Sequence, residues 1–530
     1  MLIQDFLRRS AKLFPDVIAI NDTHDQLTYA QLARRVETCR TRFSLAGIAS
    51  GQHVVILGAN SIDYVVVYFA CAQIGAILVP MNAYLRAAEI KWIMADCDPA
   101  AVVASKDCTA RLIEECGPAL EGRTCFVMGD AIAGWSPIVA DTCPHEWLDL
   151  PAHTETPARL DTNPNTLAMQ IYTSGTTGTP KGVMLSHHNI VSVVLAWLHE
   201  MPQKTTTNRI MQATPLFHVG GTLICLCAIA SGSTLYMLPR FDASLALNIL
   251  QCNAITHTLL VPSMIQQLLL LPDIESCDFP HLEVIMYGAS SIAQSVLSRA
   301  MKVFGCAFLQ GYGLTETAGV ALSLRPADHR FTAGSAMPAH TQSAGRELLC
   351  CEVRVVDAHG RSVAVNEIGE IQVRGDNVTA GYWNNPVATA ATIVNGWLRT
   401  GDLGRIDEHG YIYVVDRLKD MIIVSGVNVY PAEVENVLSS HPAVAEVAVI
   451  GLPNLLLGEE VVAVVVQKPA PSPQLRPRLL TPELKAYCHQ RLALFKCPVR
   501  VKYLDSLPRT PAGKVLKNVL RDRFRVETSA

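Results

Sequence analysis

Hydrophobic residues between positions 27 and 80 alternate between a helical period and short, uninterrupted apolar runs. Large apolar residues recur at roughly helical spacing at Leu32, Val36, Phe43 and Leu45. His53–Leu57 is a short β-branched run that predicts a buried strand, and residues 61–73 and 76–80 predict another helix and another strand. This alternation is typical of βαβ units, so it predicts a largely parallel sheet covered by helices.

The same alternation continues along most of the chain. Further strands are predicted at residues 101–104, 125–128, 210–213, 233–237, 256–261 and 282–287. Residues 130–161 are richer in Pro, Thr and Ala and predict an irregular connection. In the last hundred or so residues, strands at 444–450, 461–466 and 499–504 combine with a Pro-rich loop at 468–477 and a helix at 484–494. The fold class predicted is α/β, with a large N-terminal domain of βαβ-type sheets and a small α+β C-terminal domain.

Composition excludes several classes of protein. Half of the 530 residues are hydrophobic and only 17% are charged, which is typical of a globular enzyme of two or more domains rather than a disordered chain. The net charge of −4 with interspersed acids and bases predicts no nucleic-acid partner. The 16 cysteines are irregularly spaced, so reduced thiols in a cytoplasmic protein are favoured over a disulfide framework or a zinc site.

Two uncharged runs, residues 64–80 and 219–238, could be mistaken for membrane spans. The first is shorter than the roughly 20 residues that a span needs, and glycine and hydroxyl residues interrupt the second. Each run predicts a buried helix followed by a buried strand, so no transmembrane segment is predicted. No export signal is visible at the N-terminus.

Residues 171–183, IYTSGTTGTPKGV, combine a strand end with a loop suited to phosphate. The hydroxyls, glycines and cation that would contact phosphate are Thr173, Ser174, Gly175, Thr176, Thr177, Gly178 and Lys181. Glycines let backbone N–H groups converge on an anion, while hydroxyls add donors and the lysine adds a positive charge. Pro180 and Gly182 break the Walker A pattern, which excludes an ordinary P-loop. The alternative is a flexible linker, which the preceding apolar strand disfavours.

This loop resembles the pyrophosphate-binding signature of the adenylate-forming enzymes, which include acyl-CoA synthetases, luciferases and the adenylation domains of peptide synthetases. The segment QGYGLTETAG, residues 310–319, is also similar to a motif of that family. The resemblance implies that Tyr312 stacks on adenine, Thr315 bonds the α-phosphate and Glu316 coordinates Mg²⁺. The nucleotide-site residues implied by the matching segments are Gly288, Ala289, Ser290, Gln310, Gly311, Tyr312 and Gly313.

Three later segments match the family in order along the chain. The resemblance implies that Asp402 accepts hydrogen bonds from the ribose hydroxyls and that Arg417 contacts the nucleotide. It places a hinge at Lys419, and hence domains at 1–417 and 418–530, the second domain being mobile. The Gly426 loop would serve the CoA step, and Lys514, in LPRTPAGKVLK, would be the catalyst of adenylation.

The segment PLFHVGG, residues 215–221, matches the acyl pocket of the family. The pocket residues implied are Phe217, His218, Gly220, Gly221, Gly288 and Gly313, and His218 is also expected to be catalytic. A lone histidine is more often structural than catalytic, and the functional reading rests on the resemblance. Amino-acid-activating relatives carry an aspartate here and this chain does not, which disfavours an amino acid.

A fatty acid is the leading substrate, supported by the pocket glycines and by a segment from Ser343 that is similar to fatty-acyl members. That segment departs from the family at Glu347, Leu348, Cys350 and Cys351, where many members have Pro and Gly. GEIQVRG at 369–375 and GYW at 381–383 predict a strand and a turn with structural roles.

The activity implied is that of an ATP-dependent carboxylic acid–CoA ligase that uses ATP, Mg²⁺ and coenzyme A through an acyl-AMP intermediate. An aryl acid in place of the fatty acid, and an acyl carrier protein in place of CoA, remain open alternatives. A protein of another class, an inactive nucleotide-binding protein on the same fold, is disfavoured by the joint presence of the nucleotide-site residues. The sequence leaves the oligomeric state open.

Overall fold

The computed structural model describes most of the chain. The residues described are 1–139, 163–173, 180–201, 207–290, 292–330, 338–418, 420–424, 427–454, 457–468, 481–509 and 515–526. Within these described residues, four sheets form the framework, two large and two small.

The first large sheet has eight strands and contains the predicted βαβ units. Its strands, in spatial order, are Gly381–Tyr382, Lys181–Ser186, Leu167–Thr173, Ile77–Met81, His53–Leu57, Ala101–Ser105, Thr124–Met128 and Ser136–Pro137. The helices that connect or cover them include Ile3–Leu13, Tyr29–Leu45, Ile62–Ile74, Ala87–Cys97 and Lys106–Leu120. The strands from Ile77–Met81 to Ser136–Pro137 pair in parallel, as predicted from the alternating pattern.

The second large sheet has nine strands. In spatial order they are Arg346–Glu347, Leu322–Leu324, Ala307–Tyr312, Val284–Gly288, His257–Leu260, Arg209–Gln212, Thr234–Met237, Ile18–Asp22 and Gln26–Thr28. Its helices are His187–Glu200, Val219–Ser231, Ala243–Cys252, Pro262–Leu269 and Gln294–Phe304. The six strands from Ala307–Tyr312 to Ile18–Asp22 run parallel, so their carboxyl ends meet at one edge of the sheet.

The main core lies between the two large sheets. It joins Val54 and Leu78 of the first sheet to Met286 and Leu309 of the second. The helices Ile62–Ile74 and Val219–Ser231 are buried within it, which confirms both uncharged runs as a helix followed by a strand. Among the described residues, no helix combines the length and hydropathy that crossing a bilayer requires.

Two small sheets complete the chain. The first contains Cys351–Val356, Gly369–Gly375, Ile393–Val394, Trp397–Ile406 and Ile412–Arg417, beside the helix Pro386–Thr392. The second contains Ile422–Val424, Val427–Val429, Val444–Asn454, Gly458–Gln467 and Arg500–Tyr503, with helices Pro431–Ser439, Thr481–His489 and Lys517–Val526. One sheet ends at Arg417 and the next begins at Ile422. The proposed domain division at 417 and 418 falls in this interval.

The structure corrects three details of the prediction. Leu45 ends the helix Tyr29–Leu45 but is 81% exposed, whereas Leu32, Val36 and Phe43 are buried, so Leu45 is not part of the apolar face. The helix predicted at 484–494 ends at His489 and is followed by a 3₁₀ turn at Leu494–Lys496. Gly381–Tyr382 is a short strand rather than a turn.

Candidate active site

A β-hairpin carries the loop of hydroxyl and glycine residues. Its strands Leu167–Thr173 and Lys181–Ser186 pair antiparallel, with Thr173 opposite Lys181. A Walker A loop leads from a strand into a helix, so a connection between two strands agrees with the exclusion of that motif. Five of the predicted phosphate-binding residues lie outside the described residues: Ser174, Gly175, Thr176, Thr177 and Gly178.

A chain of buried and partly buried hydrogen bonds supports this hairpin. His53 Nε2 lies 2.9 Å from Gln170 Oε1, Gln170 Nε2 donates to Tyr172 Oη at 2.7 Å, and Tyr172 Oη donates to Asp96 Oδ2 at 2.6 Å. Burial lowers the pKa of His53, while burial and the Asp96 carboxylate raise that of Tyr172. A Cβ atom on Gly182 would lie 2.6 Å from Gln170 Nε2, so any larger residue here would displace the Gln170 amide from this chain of bonds. The chain of bonds fixes the strand end from which the loop starts.

Tyr382 connects two of the predicted site residues. Its hydroxyl donates to Glu316 Oε1 at 2.9 Å, and Lys181 Nζ lies 4.8 Å from the centroid of its ring. Burial, and then the Glu316 carboxylate, raise the pKa of Tyr382. The sequence analysis gave this segment a structural role only, because nothing in GYW itself signals a contact with residues 66 and 201 positions away.

Asp402 contacts two other predicted site residues, Arg417 and Tyr312. Strands Trp397–Ile406 and Ile412–Arg417 pair antiparallel with Asp402 opposite Arg417, and Arg417 Nε lies 2.5 Å from Asp402 Oδ1. Tyr312, at the end of its strand in the second large sheet, donates its hydroxyl to Asp402 Oδ2 at 2.7 Å. Burial and the neighbouring carboxylate raise the pKa of Tyr312. Asp402 is only 2% exposed, so the Arg417 guanidinium offsets the cost of burying its charge.

The glycines at the strand ends allow close backbone approach. Gly288 pairs with Gly311 on adjacent parallel strands, and a Cβ on Gly288 would lie 2.2 Å from the Gly311 carbonyl oxygen. A Cβ on Gly313 would lie 2.4 Å from the Gly319 carbonyl oxygen. The next two predicted residues, Ala289 and Ser290, are exposed, and Ala289 has a positive φ of 67°. Ligands of α/β sheets bind beyond the carboxyl ends of parallel strands, where these residues lie.

The strand that ends in Tyr312 also carries Gln310, whose Oε1 accepts a hydrogen bond from Tyr287 Oη at 3.2 Å. Thr315 and Glu316 follow in a 3₁₀ turn, Thr315–Thr317. The turn is held because Thr379 N–H donates to the Glu316 carbonyl oxygen at 2.8 Å. The Thr315 and Glu316 side chains are therefore presented from a fixed backbone.

Phe217 and His218 precede the helix Val219–Ser231, with ring centroids 4.6 Å apart. Burial lowers the pKa of His218 to about 4, so the ring is neutral near pH 7. Its Nε2 atom is buried and has no hydrogen-bond partner among the described residues. Asn60 supports the loop, since Oδ1 accepts from Leu216 N–H at 2.8 Å and Nδ2 donates to the Thr214 carbonyl oxygen at 3.1 Å.

Apolar side chains lie beside two of the predicted site glycines, Gly220 and Gly311. A Cβ on Gly220 would meet Leu259 Cδ2 at 3.9 Å, so Gly220 leaves open space on this side. Gly221 has a further reason to be glycine, because a Cβ there would lie 2.1 Å from the Pro215 carbonyl oxygen. Trp197 packs against Gly311, where a Cβ atom would lie 3.0 Å from the Trp197 Cη2 atom. Trp197 is 2% exposed.

The junction with the last part of the chain contains three carboxylates. Asp416 Oδ2 accepts from Ala432 N–H at 2.8 Å, so it caps the helix Pro431–Ser439 from the preceding sheet. Lys517 Nζ lies 2.8 Å from Glu435 Oε1, and Arg521 lies 2.7 Å from Asp420. The predicted hinge and catalytic residues Lys419, Gly426 and Lys514 lie outside the described residues.

Two family models match the chain. The model described as AMP-binding enzyme covers residues 7–383, and the model described as AMP-binding enzyme C-terminal domain covers residues 433–514. The first alone spans more than half of the chain, and it contains the hairpin, the glycine strand ends and Tyr382.

Relatives and solved structures agree with these models. A fatty acid–acyl-carrier-protein ligase, ScoC of Streptomyces coeruleorubidus, is 36% identical over 94% of this chain and 92% of its own length. Indoleacetate–CoA ligase of Aromatoleum aromaticum is 36% identical over 98% of each chain. The ATP-bound structure of MatB from Rhodopseudomonas palustris matches with a TM-score of 0.85 at 28% identity, over 99% of each chain.

Proposed function

The chain belongs to the AMP-binding enzyme family and is an AMP-forming acid–CoA ligase, and from this premise we propose that its substrate is a fatty acid. The family uses ATP, Mg²⁺ and coenzyme A. The proposed reaction joins a fatty acid to a thiol through a fatty acyl-AMP intermediate, releasing pyrophosphate and then AMP.

The observation that carries the choice of acid is that the residues beside the pocket glycines are uncharged, and we propose that they form an apolar groove beside the strand ends. The residues proposed to bound it are Trp197, Phe217, Gly220, Leu259 and Gly311, and none of them carries a charge. An aliphatic tail gains free energy by burial in such a groove, at about 25 cal/mol per Å² of apolar surface. An amino or second carboxylate group would find no charged partner among these side chains.

The residues at the rim fit a nucleotide with its metal ion. Glu316 offers a carboxylate whose Oε2 atom has no partner among the described residues. The described residues contain no group of three or more His, Cys, Asp or Glu side chains that could hold a metal ion by themselves, so a metal ion here would rely on one carboxylate together with the nucleotide. Such a donor set suits Mg²⁺, which binds proteins through one or two carboxylates together with phosphate oxygens and water. When bound, Mg²⁺ would offset the negative charge of the phosphates. Tyr312, Asp402 and Arg417 are proposed to hold the nucleoside.

In the proposed first half-reaction, the substrate carboxylate attacks the α-phosphorus of ATP and pyrophosphate leaves. The main barrier is repulsion between anions, so fixed cations and donors supply the catalysis. Lys181, Lys514, Thr315 and the loop hydroxyls are proposed for this role. In the second half-reaction the small domain turns about Lys419, the Gly426 loop approaches, and the thiolate attacks the acyl carbon to release AMP.

An aryl acid is the second candidate, and one observation favours it. The buried, neutral His218 has an unpartnered Nε2 atom beside the groove. An unpaired buried polar atom is costly. A phenol hydroxyl on the substrate could pair with Nε2 in either tautomer of the ring, and an indole N–H could donate to it when Nε2 carries no proton. The relative from Aromatoleum aromaticum, which is named for indoleacetate, is as similar to this chain as the fatty-acid ligase.

The test incubates the purified chain with ATP, Mg²⁺ and CoA and a series of fatty acids beside several aryl acids. We expect AMP and thioester to form together, with one chain length preferred. A preference for an aryl acid would replace the fatty acid in the proposal. If AMP forms slowly and acyl-AMP accumulates, an acyl carrier protein is tested as the acceptor. ATP binding without acid-dependent turnover would favour the inactive nucleotide-binding protein.

Trp197 gives a prediction about chain length. Trp197→Ala should extend the groove and move the preferred fatty acid to a longer chain, whereas Gly311→Ala should narrow it and move the preference to a shorter one. The measurement is kcat/KM across the fatty-acid series for both variants. Because Trp197→Ala removes a buried aromatic ring, it should also lower stability by about 3–5 kcal/mol. Trp197→Phe is the milder companion, and an unchanged preference in all three variants would contradict the assigned groove.

A further inference from the structure

We propose that Tyr382 is a positioning residue for adenylation, which keeps Lys181 and Glu316 apart and aims each at the triphosphate and its metal ion. The inference rests on the proposed roles of Lys181 and Glu316. Its basis is that one side chain contacts both groups, through its hydroxyl at 2.9 Å from Glu316 Oε1 and its ring face at 4.8 Å from Lys181 Nζ.

The backbone fixes the position of the Tyr382 ring. Strand Gly381–Tyr382 pairs with Lys181–Ser186, with Tyr382 opposite Val183, and Trp383 N–H donates to the Gly182 carbonyl oxygen at 2.8 Å. Trp383 Nε1 also donates to the Asp96 carbonyl oxygen at 3.1 Å. Asp96 is the residue that ends the hydrogen-bond chain under the phosphate hairpin. The ring is therefore tied to the same framework as the loop itself.

The direction of the Tyr382 hydroxyl is also determined. The hydroxyl donates its proton to Glu316 Oε1, because an ionised carboxylate can only accept a hydrogen bond. Tyr382 N–H donates to Thr389 Oγ1 at 2.9 Å, in the helix Pro386–Thr392. Outer hydrogen bonds of this kind orient the side chains that bind a metal ion.

The two contacts of Tyr382 hold the Lys181 ammonium group and the Glu316 carboxylate without pairing them with each other. Lys181 and Glu316 would otherwise attract each other, and a direct ion pair would neutralise both before the nucleotide arrives. No ion pair joins them among the residues that the structure describes. The hydroxyl holds the carboxylate by a hydrogen bond, whereas the ring face attracts the ammonium group by a cation–π interaction. Both charged groups therefore remain available to bind the triphosphate and its metal ion.

The test compares Tyr382→Phe with the unmodified protein by calorimetric titration of ATP over a range of Mg²⁺ concentrations. Losing the hydroxyl should raise the Mg²⁺ concentration needed for half-maximal strengthening of ATP binding by about tenfold. ATP affinity without Mg²⁺ should stay the same, because the ring still faces Lys181. Adenylation should slow at limiting Mg²⁺ and recover in excess Mg²⁺, while thioester formation from supplied acyl-AMP should not change.

Tyr411→Phe is a matched control. Tyr411 also donates its hydroxyl to a carboxylate, Asp328 Oδ1 at 2.7 Å, and it is 9% exposed where Tyr382 is 7% exposed. This variant should lose comparable thermal stability without any change in Mg²⁺ requirement. Tyr382→Leu, which removes the ring as well, should additionally weaken ATP binding in the absence of Mg²⁺.

Glu316→Gln separates the two possible failures. If Glu316→Gln raises the Mg²⁺ requirement but Tyr382→Phe behaves like Tyr411→Phe, the positioning role is wrong and the proposed metal site stands. If neither Glu316→Gln nor Tyr382→Phe changes the Mg²⁺ requirement, the proposed role of Glu316 is wrong, and the inference falls with it.

Discussion

Lys514→Ala should slow the formation of acyl-AMP by about 10²-fold or more, which is the scale of losing one electrostatic stabiliser of a transition state. The lysine is proposed to offset the charge that accumulates when a carboxylate approaches the α-phosphate. The measurement is the rate of acid-dependent pyrophosphate release in a single turnover. Thioester formation from supplied acyl-AMP should be spared, because the small domain is proposed to withdraw Lys514 before that step.

Two further variants make this result specific. Gly426→Leu should have the opposite effect: adenylation should be spared and thioester formation should slow, because a bulky side chain in the proposed CoA loop is expected to obstruct the thiol arm. Lys517→Ala removes a lysine charge three positions away, one that pairs with Glu435 at 2.8 Å, and should leave adenylation close to the unmodified rate. Equal losses in both half-reactions for Lys514→Ala would contradict its assigned role.

Asp402→Ala should weaken ATP binding by about 10²-fold or more, because hydrogen bonds to a charged acceptor contribute about 1.5–3 kcal/mol each and two are proposed to reach the ribose. The variant also leaves the Arg417 guanidinium without its partner at 2.5 Å and the Tyr312 hydroxyl without its partner at 2.7 Å. Because Arg417 is partly exposed, we expect the variant to lose only about 2 kcal/mol of stability. Calorimetric titration with ATP and thermal unfolding measure the two effects.

Glu370→Ala provides the comparison for Asp402→Ala. Glu370 Oε2 lies 2.9 Å from Arg399 Nε, and Arg399 is on the same strand as Asp402, so this variant also breaks a partly buried ion pair. It should lower stability without weakening ATP binding. If the two variants bind ATP equally well, Asp402 has only a structural role.

The fold was predictable to the extent that its signals are local. The run His53–Leu57 became a strand with the same bounds, because β-branched residues between turn signals specify a strand without help from distant contacts. The buried helix Ile62–Ile74 followed from an uncharged run that is too short to span a membrane. The prediction that Leu45 belongs to the apolar face of its helix was wrong, because Leu45 lies at the helix end, where that face no longer meets the core.

The candidate site was predictable only through motif resemblance. Tyr312, Asp402 and Arg417 come from three separate motifs, and the structure brings them together. Asn60 and Tyr382 were missed because their contacts join residues far apart in the chain, and no periodicity or spacing encodes such pairs. Their roles depend on how the two large sheets and the intervening helices pack.

The central claim, that this chain activates a carboxylic acid as an acyl-AMP before thioester formation, is tested most directly with an acid whose carboxyl oxygens are oxygen-18. The acid that turns over is incubated with ATP, Mg²⁺ and CoA, and the AMP is analysed by mass spectrometry. Attack of the carboxylate on the α-phosphorus predicts one labelled oxygen in every AMP. Unlabelled AMP, or ADP and phosphate in place of AMP, would contradict the account.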